Sequence, residues 1–258
     1  MKHVARKRFG QNFLVDTSVI DRICSAMAPN DGELIVEIGP GQGAMTRPLL
    51  ESGAEVLAVE IDRDLASALQ QELGALDSFR VVQCDALKTD MQQLTADRPY
   101  RIAGNLPYNI STPLLFHVLG QAHQPQDMHF MLQQEVVDRL GARAGSRQYG
   151  RLSVMCQNRC EVEPLFGIGP AAFRPAPRVH SALVRLLPRP EPLSGTGLEA
   201  ALDQVVRTAF AQRRKTVRNA LSGLLDESRI SEAGVDPGTR PEQVDIAQFI
   251  ALARQIRH

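Results

Sequence analysis

Over roughly the first two-thirds of the chain, short apolar runs alternate with amphipathic stretches. Residues 34–38 (Leu-Ile-Val-Glu-Ile) form a short apolar run after the breaker Pro29-Asn30-Asp31-Gly32, which predicts a buried strand. Comparable runs predict strands over residues 55–61, 79–84, 100–104, 128–132, 160–166 and 181–187. Between them the apolar spacing turns helical. It predicts helices ending near Met27, over about 44–52 with Gly53 as the stop, over 63–73, from 113 to 119, over 135–140 and over about 151–158. Asp16 and Ser18 offer N-caps for the first of these. Strands alternating with helices predict an α/β fold, a doubly wound and mainly parallel sheet. Pro188, Pro190, Pro192, Gly195 and Gly197 then read as a linker, and from Leu198 onward the spacing is helical throughout. The pattern predicts a larger domain over 1–190 and a small all-helical domain over 191–258.

Composition narrows the class. The chain has 258 residues, ordinary globular proportions and no apolar run of membrane-spanning length. Its basic start leads into no apolar segment, so it does not read as a secretory signal. Cys24, Cys84, Cys156 and Cys160 form no CxxC pair, and a reducing cytoplasm is the expected compartment. The six histidines show no metal-ligand spacing, and His117 and His180 read as structural; no metal site is expected.

The formal net charge of zero first argues against a nucleic-acid partner. Resolved by segment it does the opposite. Residues 31–138 carry net −10, whereas 1–30, 139–190 and 207–218 carry +3, +7 and +5. That asymmetry points to a polyanion partner. Arg139, Arg143, Arg147 and Arg151 recur every four residues around Gly141, Gly145 and Gly150, and read as a flexible basic loop over the site. Arg207, Arg214 and Arg218 share a face if their helix is continuous, with Arg213 and Lys215 beside them.

Candidate chemistry gathers at predicted strand ends. Glu37-Ile38-Gly39-Pro40-Gly41-Gln42-Gly43 is a glycine-rich turn between strand and helix, where backbone approaches a ligand closely. Its spacing is GxGxG rather than the GxGxxG of dinucleotide sites, and acidic Glu37 disfavours a pyrophosphate and suits a cation. Glu60 ends the next strand, placed to accept from ribose hydroxyls. Asp85 ends the third, placed to accept from an adenine amino group. Asn105-Leu106-Pro107-Tyr108 ends the fourth. There the Asn105 carboxamide oxygen and the Leu106 carbonyl can both accept from an exocyclic amine. Pro107 holds the Leu106 backbone extended, and Tyr108 offers a stacking face. Phe173, in the proline-rich loop 169–177, reads either as a second stacking face or as a loop anchor in the core.

These residues resemble the motifs of S-adenosylmethionine-dependent adenine N6-methyltransferases. Arg6-Lys7-Arg8-Phe9-Gly10-Gln11-Asn12-Phe13-Leu14, Phe173-Arg174-Pro175-Ala176-Pro177-Arg178-Val179 and Arg213-Arg214-Lys215-Thr216-Val217-Arg218-Asn219 narrow the resemblance to the KsgA/RsmA family, the small-subunit ribosomal RNA adenine dimethyltransferases. It runs over nearly the whole chain. It implies a Rossmann-like class I methyltransferase fold, with S-adenosylmethionine held around Gln11, Asn12, Leu14, Glu37, Gly39, Gly41, Gly43, Glu60, Ile61, Asp85, Ala86 and Asn105. It implies dimethylation of two adjacent adenosines in a hairpin loop near the 3′ end of 16S rRNA, within the 30S subunit or its precursor. RNA contacts are expected from Arg6, Lys7 and Arg8 and the two basic segments above, and a monomer is the expected state. Three other readings compete: an NAD-dependent oxidoreductase, which leaves Asn105–Tyr108 idle, a non-catalytic rRNA-binding assembly factor, and a related large-subunit rRNA methyltransferase.

Overall fold

The computed structural model describes residues 12–107, 110–212 and 214–256. It divides into two compact units. One comprises residues 1–137 with 163–188, the other 138–162 with 189–258.

The first unit is built on a sheet whose strand order is β4-β3-β2-β5-β6-β9-β7. These strands are β2 (Leu34–Ile38), β3 (Glu55–Glu60), β4 (Phe79–Gln83), β5 (Arg101–Asn105), β6 (Met128–Gln133), β7 (Cys160–Ile168) and β9 (Ser181–Pro188). Strands β4, β3, β2, β5 and β6 run parallel, and β9 joins β6 antiparallel. All five residues of β2 are buried, as expected for a central parallel strand covered on both faces. The order steps outward from β2 on both sides, so its carboxyl end lies at the switch point where such sheets hold ligands.

Helix α1 (Thr17–Met27) starts at Asp16, whose carboxylate accepts from the backbone N–H groups of Ser18 (3.0 Å) and Val19 (3.3 Å). It buries Val19, Ile23 and Met27, one face at four-residue spacing. Helices α2 (Thr46–Glu51), α3 (Arg63–Leu73), α4 (Met91–Thr95) and α5 (Ser111–Leu119) form the other crossovers. The short α4 and a 3-10 turn at 86–88 escape periodicity, because fewer than two turns set up no repeat; their N-caps Asp90 and Asp85 are the only local signals. Two further residue pairs, β1 (Phe13–Leu14) and β8 (Phe173–Arg174), form an antiparallel ladder that ties the chain's start to the proline-rich loop.

At the opposite end of the sheet a buried arginine ties five segments together. Arg101 makes bidentate bonds to Asp127 (Nε–Oδ1 2.6 Å, Nη2–Oδ2 3.0 Å). It also bonds Glu33 (3.0 Å) and the Met27 carbonyl (2.8 Å), and Arg185 on β9 meets the same Asp127 (3.1 Å).

The second unit contains α7 (Arg151–Arg159), α8 (Glu199–Ala211), α9 (Val217–Leu221), α10 (Glu227–Glu232) and α11 (Ile246–Ile256). Helix α6 (Gln134–Leu140) enters it, and β7 leaves it. Periodicity places everything to residue 190 in one domain, but 138–162 groups with the C-terminal helices. Specific anchors explain this. The Tyr149 ring packs on Phe210 (6.0 Å), which packs on Phe249 (5.6 Å). The Asn158 side chain binds Ser194 through the backbone N–H (2.9 Å) and the hydroxyl (3.2 Å), which fixes the linker residues to the end of α7. No helix among the described residues is long and apolar enough to cross a membrane.

Candidate cofactor and amine site

A cavity of about 270 Å³ opens above the carboxyl ends of β2, β3, β4 and β5 in the first unit. Glu37, Gly39, Gly41, Glu60, Ile61, Asp85, Ala86, Asn105, Leu106 and Pro107 line it, together with Asn12 and Leu14 near the chain's start. The successive strand ends thus bring most of the predicted cofactor residues to one place. Gln11 and Tyr108 lie outside the described residues.

The glycine turn has a specific internal wiring. Gly39, Gly41 and Gly43 all have positive φ (70°, 58° and 79°). Gly39 N–H donates to the Val59 carbonyl (2.9 Å), Gly41 N–H to Glu60 Oε2 (3.3 Å) and Gly43 N–H to the Pro40 carbonyl (2.9 Å). A pyrophosphate cradle needs such donors aimed outward. Here they are spent on the protein, and no lysine or arginine among the described residues lines the cavity. Gly43 itself does not line it. A side chain there would meet Arg47 Nη1 at 2.7 Å and Leu69 Cδ2 at 3.0 Å, and its positive φ itself favours glycine.

Three carboxyl groups face the cavity. Glu37 is only 1% exposed, and its Oε2 accepts from the Thr46 hydroxyl (2.6 Å). Burial, with a smaller contribution from Glu60, pushes its pKa up to about 7. Glu60 is also buried and is raised by burial, though it accepts from the N–H groups of Gly41 and Asp62 (2.9 Å). Each carboxylate oxygen carries two acceptor sites, so hydroxyls can still bind. Asp85 Oδ1 caps the 3-10 turn through Leu87 N–H (3.0 Å), which leaves Oδ2 to a ligand. Thr46 carries no sequence signal; the register of the turn alone brings it to Glu37.

At the end of β5, Gly104 lies so close to β2 that a side chain would meet the Ile38 carbonyl at 2.7 Å. Asn105 follows, and its Nδ2 donates to the Asn12 carbonyl (2.8 Å). That bond fixes the carboxamide's orientation and leaves Oδ1 as the acceptor. Leu106 N–H donates to the Met131 carbonyl (3.3 Å), while no described residue donates to the Leu106 carbonyl. Two consecutive residues that line the cavity thus offer acceptors, the Asn105 Oδ1 and the Leu106 carbonyl, a set suited to an amino group.

Phe173 is not part of this site. It is 1% exposed, pairs with Leu14 across β1–β8 and packs in the hydrophobic core. Of its two sequence readings, the structure gives the core anchor, because the ladder turns its ring inward.

The expected RNA-contact residues Arg139, Arg143, Arg147, Arg151, Arg207, Arg214, Lys215 and Arg218 are exposed in the second unit, whereas Arg6, Lys7, Arg8 and Arg213 lie outside the described residues. The continuous helix that would align Arg207 with Arg214 and Arg218 does not form. Helix α8 ends at Ala211, Gln212 takes a non-helical conformation and α9 begins at Val217. The loop carrying Arg143 and Arg147 is a chain of turns closed by Gly145 N–H on the Glu242 carbonyl (2.7 Å) and by buried Tyr149, rather than a free segment. Arg151 pairs with Asp203 (2.7 Å) and Arg218 with Glu227 (3.2 Å).

The chain's sequence and fold have known relatives. Residues 2–258 match the family model described as ribosomal RNA adenine dimethylase. The chain is 51% identical over 256 residues to the ribosomal RNA small subunit methyltransferase A of Methylococcus capsulatus, covering 99% of each. It is 53% identical over 259 residues to the protein of that name from Pseudomonas putida, covering 99% of this chain and 96% of the relative. Among solved structures, the 23S rRNA methyltransferase ErmE matches with a TM-score of 0.75 and 26% identity, over 96% of this chain and all (100%) of that one. A dimethyladenosine transferase from Plasmodium falciparum matches in fold with a TM-score of 0.77 at 23% identity, over 93% of this chain and 95% of that one. The chain belongs to the ribosomal RNA adenine dimethylase family.

Proposed function

We propose that the protein uses S-adenosylmethionine to dimethylate the N6 amino groups of two adjacent adenosines in a 3′-terminal hairpin loop of 16S rRNA, during assembly of the 30S subunit. The observation that carries this reading is the cavity itself. Its described lining has three carboxyl groups and no cation, the N–H groups of Gly39 and Gly41 are bonded within the protein, and Asn105 and Leu106 bring acceptors to its edge. That donor set fits an adenosine with a cationic tail and is wrong for the pyrophosphate of a dinucleotide.

In this reading Glu60 accepts from the ribose hydroxyls and Asp85 from the adenine amino group of the cofactor, with Ile61 and Ala86 giving apolar contact to its base. When bound, the cofactor supplies a methyl group on a sulfonium sulfur, an intrinsically good electrophile. The protein's work falls on the nucleophile. The lone pair of an adenine amino group is delocalised into the ring. Asn105 Oδ1 and the Leu106 carbonyl accept from its two hydrogens, favour a pyramidal nitrogen and aim the lone pair out of the ring plane. Orientation of this kind is worth up to about 7–11 kcal/mol in favourable cases. The amine attacks as a neutral group, so no base must act first, and the proton leaves the alkylated nitrogen for water. The target base leaves its stack to reach the site, with Tyr108 as the stacking face.

Small-subunit rRNA as the substrate is supported by the names of the relatives at 51% and 53% identity; ErmE, whose name specifies 23S rRNA, stands at 26%. The exposed arginines of the second unit and Lys215 supply phosphate contacts, and the protein works in the cytoplasm as a monomer. The reading is tested by mass mapping of adenosines after reaction of undermethylated 30S particles with the protein and labelled cofactor. Two adjacent dimethylated adenosines in the 16S hairpin are expected; label in 23S rRNA alone, or none, overturns it.

A further inference from the structure

Glu37 is a buried carboxyl group with no ion-pair partner among the described residues. Its ladder neighbours on β3 and β5 are Ala58 and Ala103, which contribute no polar side chain. From α2, Thr46 donates its hydroxyl. Arg47, also on α2, lowers the Glu37 pKa only as the smallest contribution, and its guanidinium is engaged by Glu72 (2.7 Å) and by the carbonyls of Gln42 (2.7 Å) and Gly43 (2.8 Å). From β3 comes a second carboxyl, Glu60, and from β5 the neutral Asn105. On α1 the thiol of Cys24 is pushed up to about 11, chiefly by burial and in part by Glu37. The remaining side of Glu37 is the cavity, whose described lining lacks lysine and arginine. A charge in that position needs a partner that the described residues do not supply, and a cationic ligand in the cavity brings one.

We propose that Glu37 is a proton-exchanging counter-charge, protonated while the cavity holds no sulfonium and ionised when the sulfonium cofactor enters, so that the site distinguishes that cofactor from its thioether product, which has no net charge. This rests on the cofactor reading above. On entry of the cofactor, the carboxyl O–H bond breaks and the proton passes to water, while the new carboxylate faces a positive charge. After methyl transfer that charge is gone. The carboxylate then takes a proton back from water; the ammonium that both ligands keep is answered by their own carboxylate, so the thioether is held without an ion pair at Glu37. No oxidant or further reactant is required. The raised pKa of Glu37, about 7, puts this exchange within the physiological range.

The test is calorimetric titration of the whole protein with S-adenosylmethionine and, separately, S-adenosylhomocysteine, in buffers of different ionisation enthalpy between pH 6 and pH 8. At pH 6, cofactor binding is expected to release close to one proton, and its affinity should rise about tenfold by pH 8, as the ionised fraction of a group titrating near 7 requires. The thioether should release none, and its affinity should change less than about twofold. Glu37→Gln should remove the proton release and flatten the pH dependence for the cofactor. Thr46→Val, which removes a donor to the carboxylate, should move the midpoint to higher pH. Cofactor binding by the wild type without proton release, or an unchanged pH dependence in Glu37→Gln, overturns the proposal while leaving the cofactor reading intact. The wild-type titration decides the matter even if the variant does not fold. Failure of both ligands to bind overturns the cofactor reading and this proposal with it.

Discussion

The same carboxyl makes a prediction about stability that needs no ligand. In the unfolded chain Glu37 titrates near 4.5, and in the folded protein near 7. Between those values the folded state binds more protons than the unfolded state, so stability falls as pH rises through that window. The group's contribution is fully present below about pH 4.5 and lost once pH exceeds about 7. The loss is on the order of 3 kcal/mol, because each pKa unit corresponds to about 1.4 kcal/mol. Glu37→Gln keeps the acceptor for Thr46 but cannot ionise. The ligand-free variant should therefore be more stable than the wild type at pH 8, by up to about 3 kcal/mol, and close to it at pH 5. The chain has no tryptophan, so far-ultraviolet circular dichroism is the appropriate probe of urea unfolding. Midpoints measured at pH 5, 6, 7 and 8 give the two pH profiles, and the difference between them isolates this one group from every other carboxyl. Parallel profiles, or a variant less stable than the wild type at pH 8, would refute the reasoning, since either means that the buried charge is already compensated within the protein.

Other perturbations probe different parts of the same argument. Asn105→Ala removes one of the two amine acceptors and should lower kcat by about 100- to 1000-fold, by analogy with loss of one preorganised electrostatic contact, in a single-turnover methylation assay. Gly104→Ala puts a methyl group 2.7 Å from the Ile38 carbonyl, and should cost about 1–3 kcal/mol in urea unfolding as β5 and β2 are forced apart. Arg101→Ala removes the cation that Asp127 and Glu33 share at the far end of the sheet; Asp127 keeps Arg185, so the variant should be destabilised by less than the about 3–5 kcal/mol of an unpaired buried charge in the same assay. Lys215→Ala should weaken binding to 30S particles and shallow the salt dependence by about one counterion, while cofactor affinity stays unchanged in calorimetry.

Much of the catalytic unit was legible because its signals are local. Each strand of the parallel sheet is a short apolar run, and β2 matches its predicted limits of 34 and 38 residue for residue. Once strand ends are located, doubly wound topology collects them at one edge, so Glu37, Glu60, Asp85 and Asn105 converge without any knowledge of distances. Phe173 shows where this fails. An aromatic in a proline-rich loop has the same sequence signature whether it faces a ligand or the core, and only the pairing of Phe173 with Leu14 separates the two. Gly43 shows the same limit, because a glycine admits a ligand or a neighbouring helix equally well until Arg47 is seen beside it.

The sequence by itself determined the class of fold, the order of the strands along the chain, the chemistry at their ends and the segregation of charge. These follow from periodicity and residue type, which are properties of neighbours in sequence. Only the tertiary structure decided which residues belong to each compact unit, that the basic face of the C-terminal helices is broken at Gln212, that the N–H groups of Gly39, Gly41 and Gly43 are spent within the protein, and that Glu37 has no ion-pair partner among the described residues. Tyr149 on Phe210, Asn158 on Ser194 and Thr46 on Glu37 join residues 61, 36 and 9 positions apart. Contacts of that kind depend on where the backbone turns, and carry no repeat that a linear pattern can register.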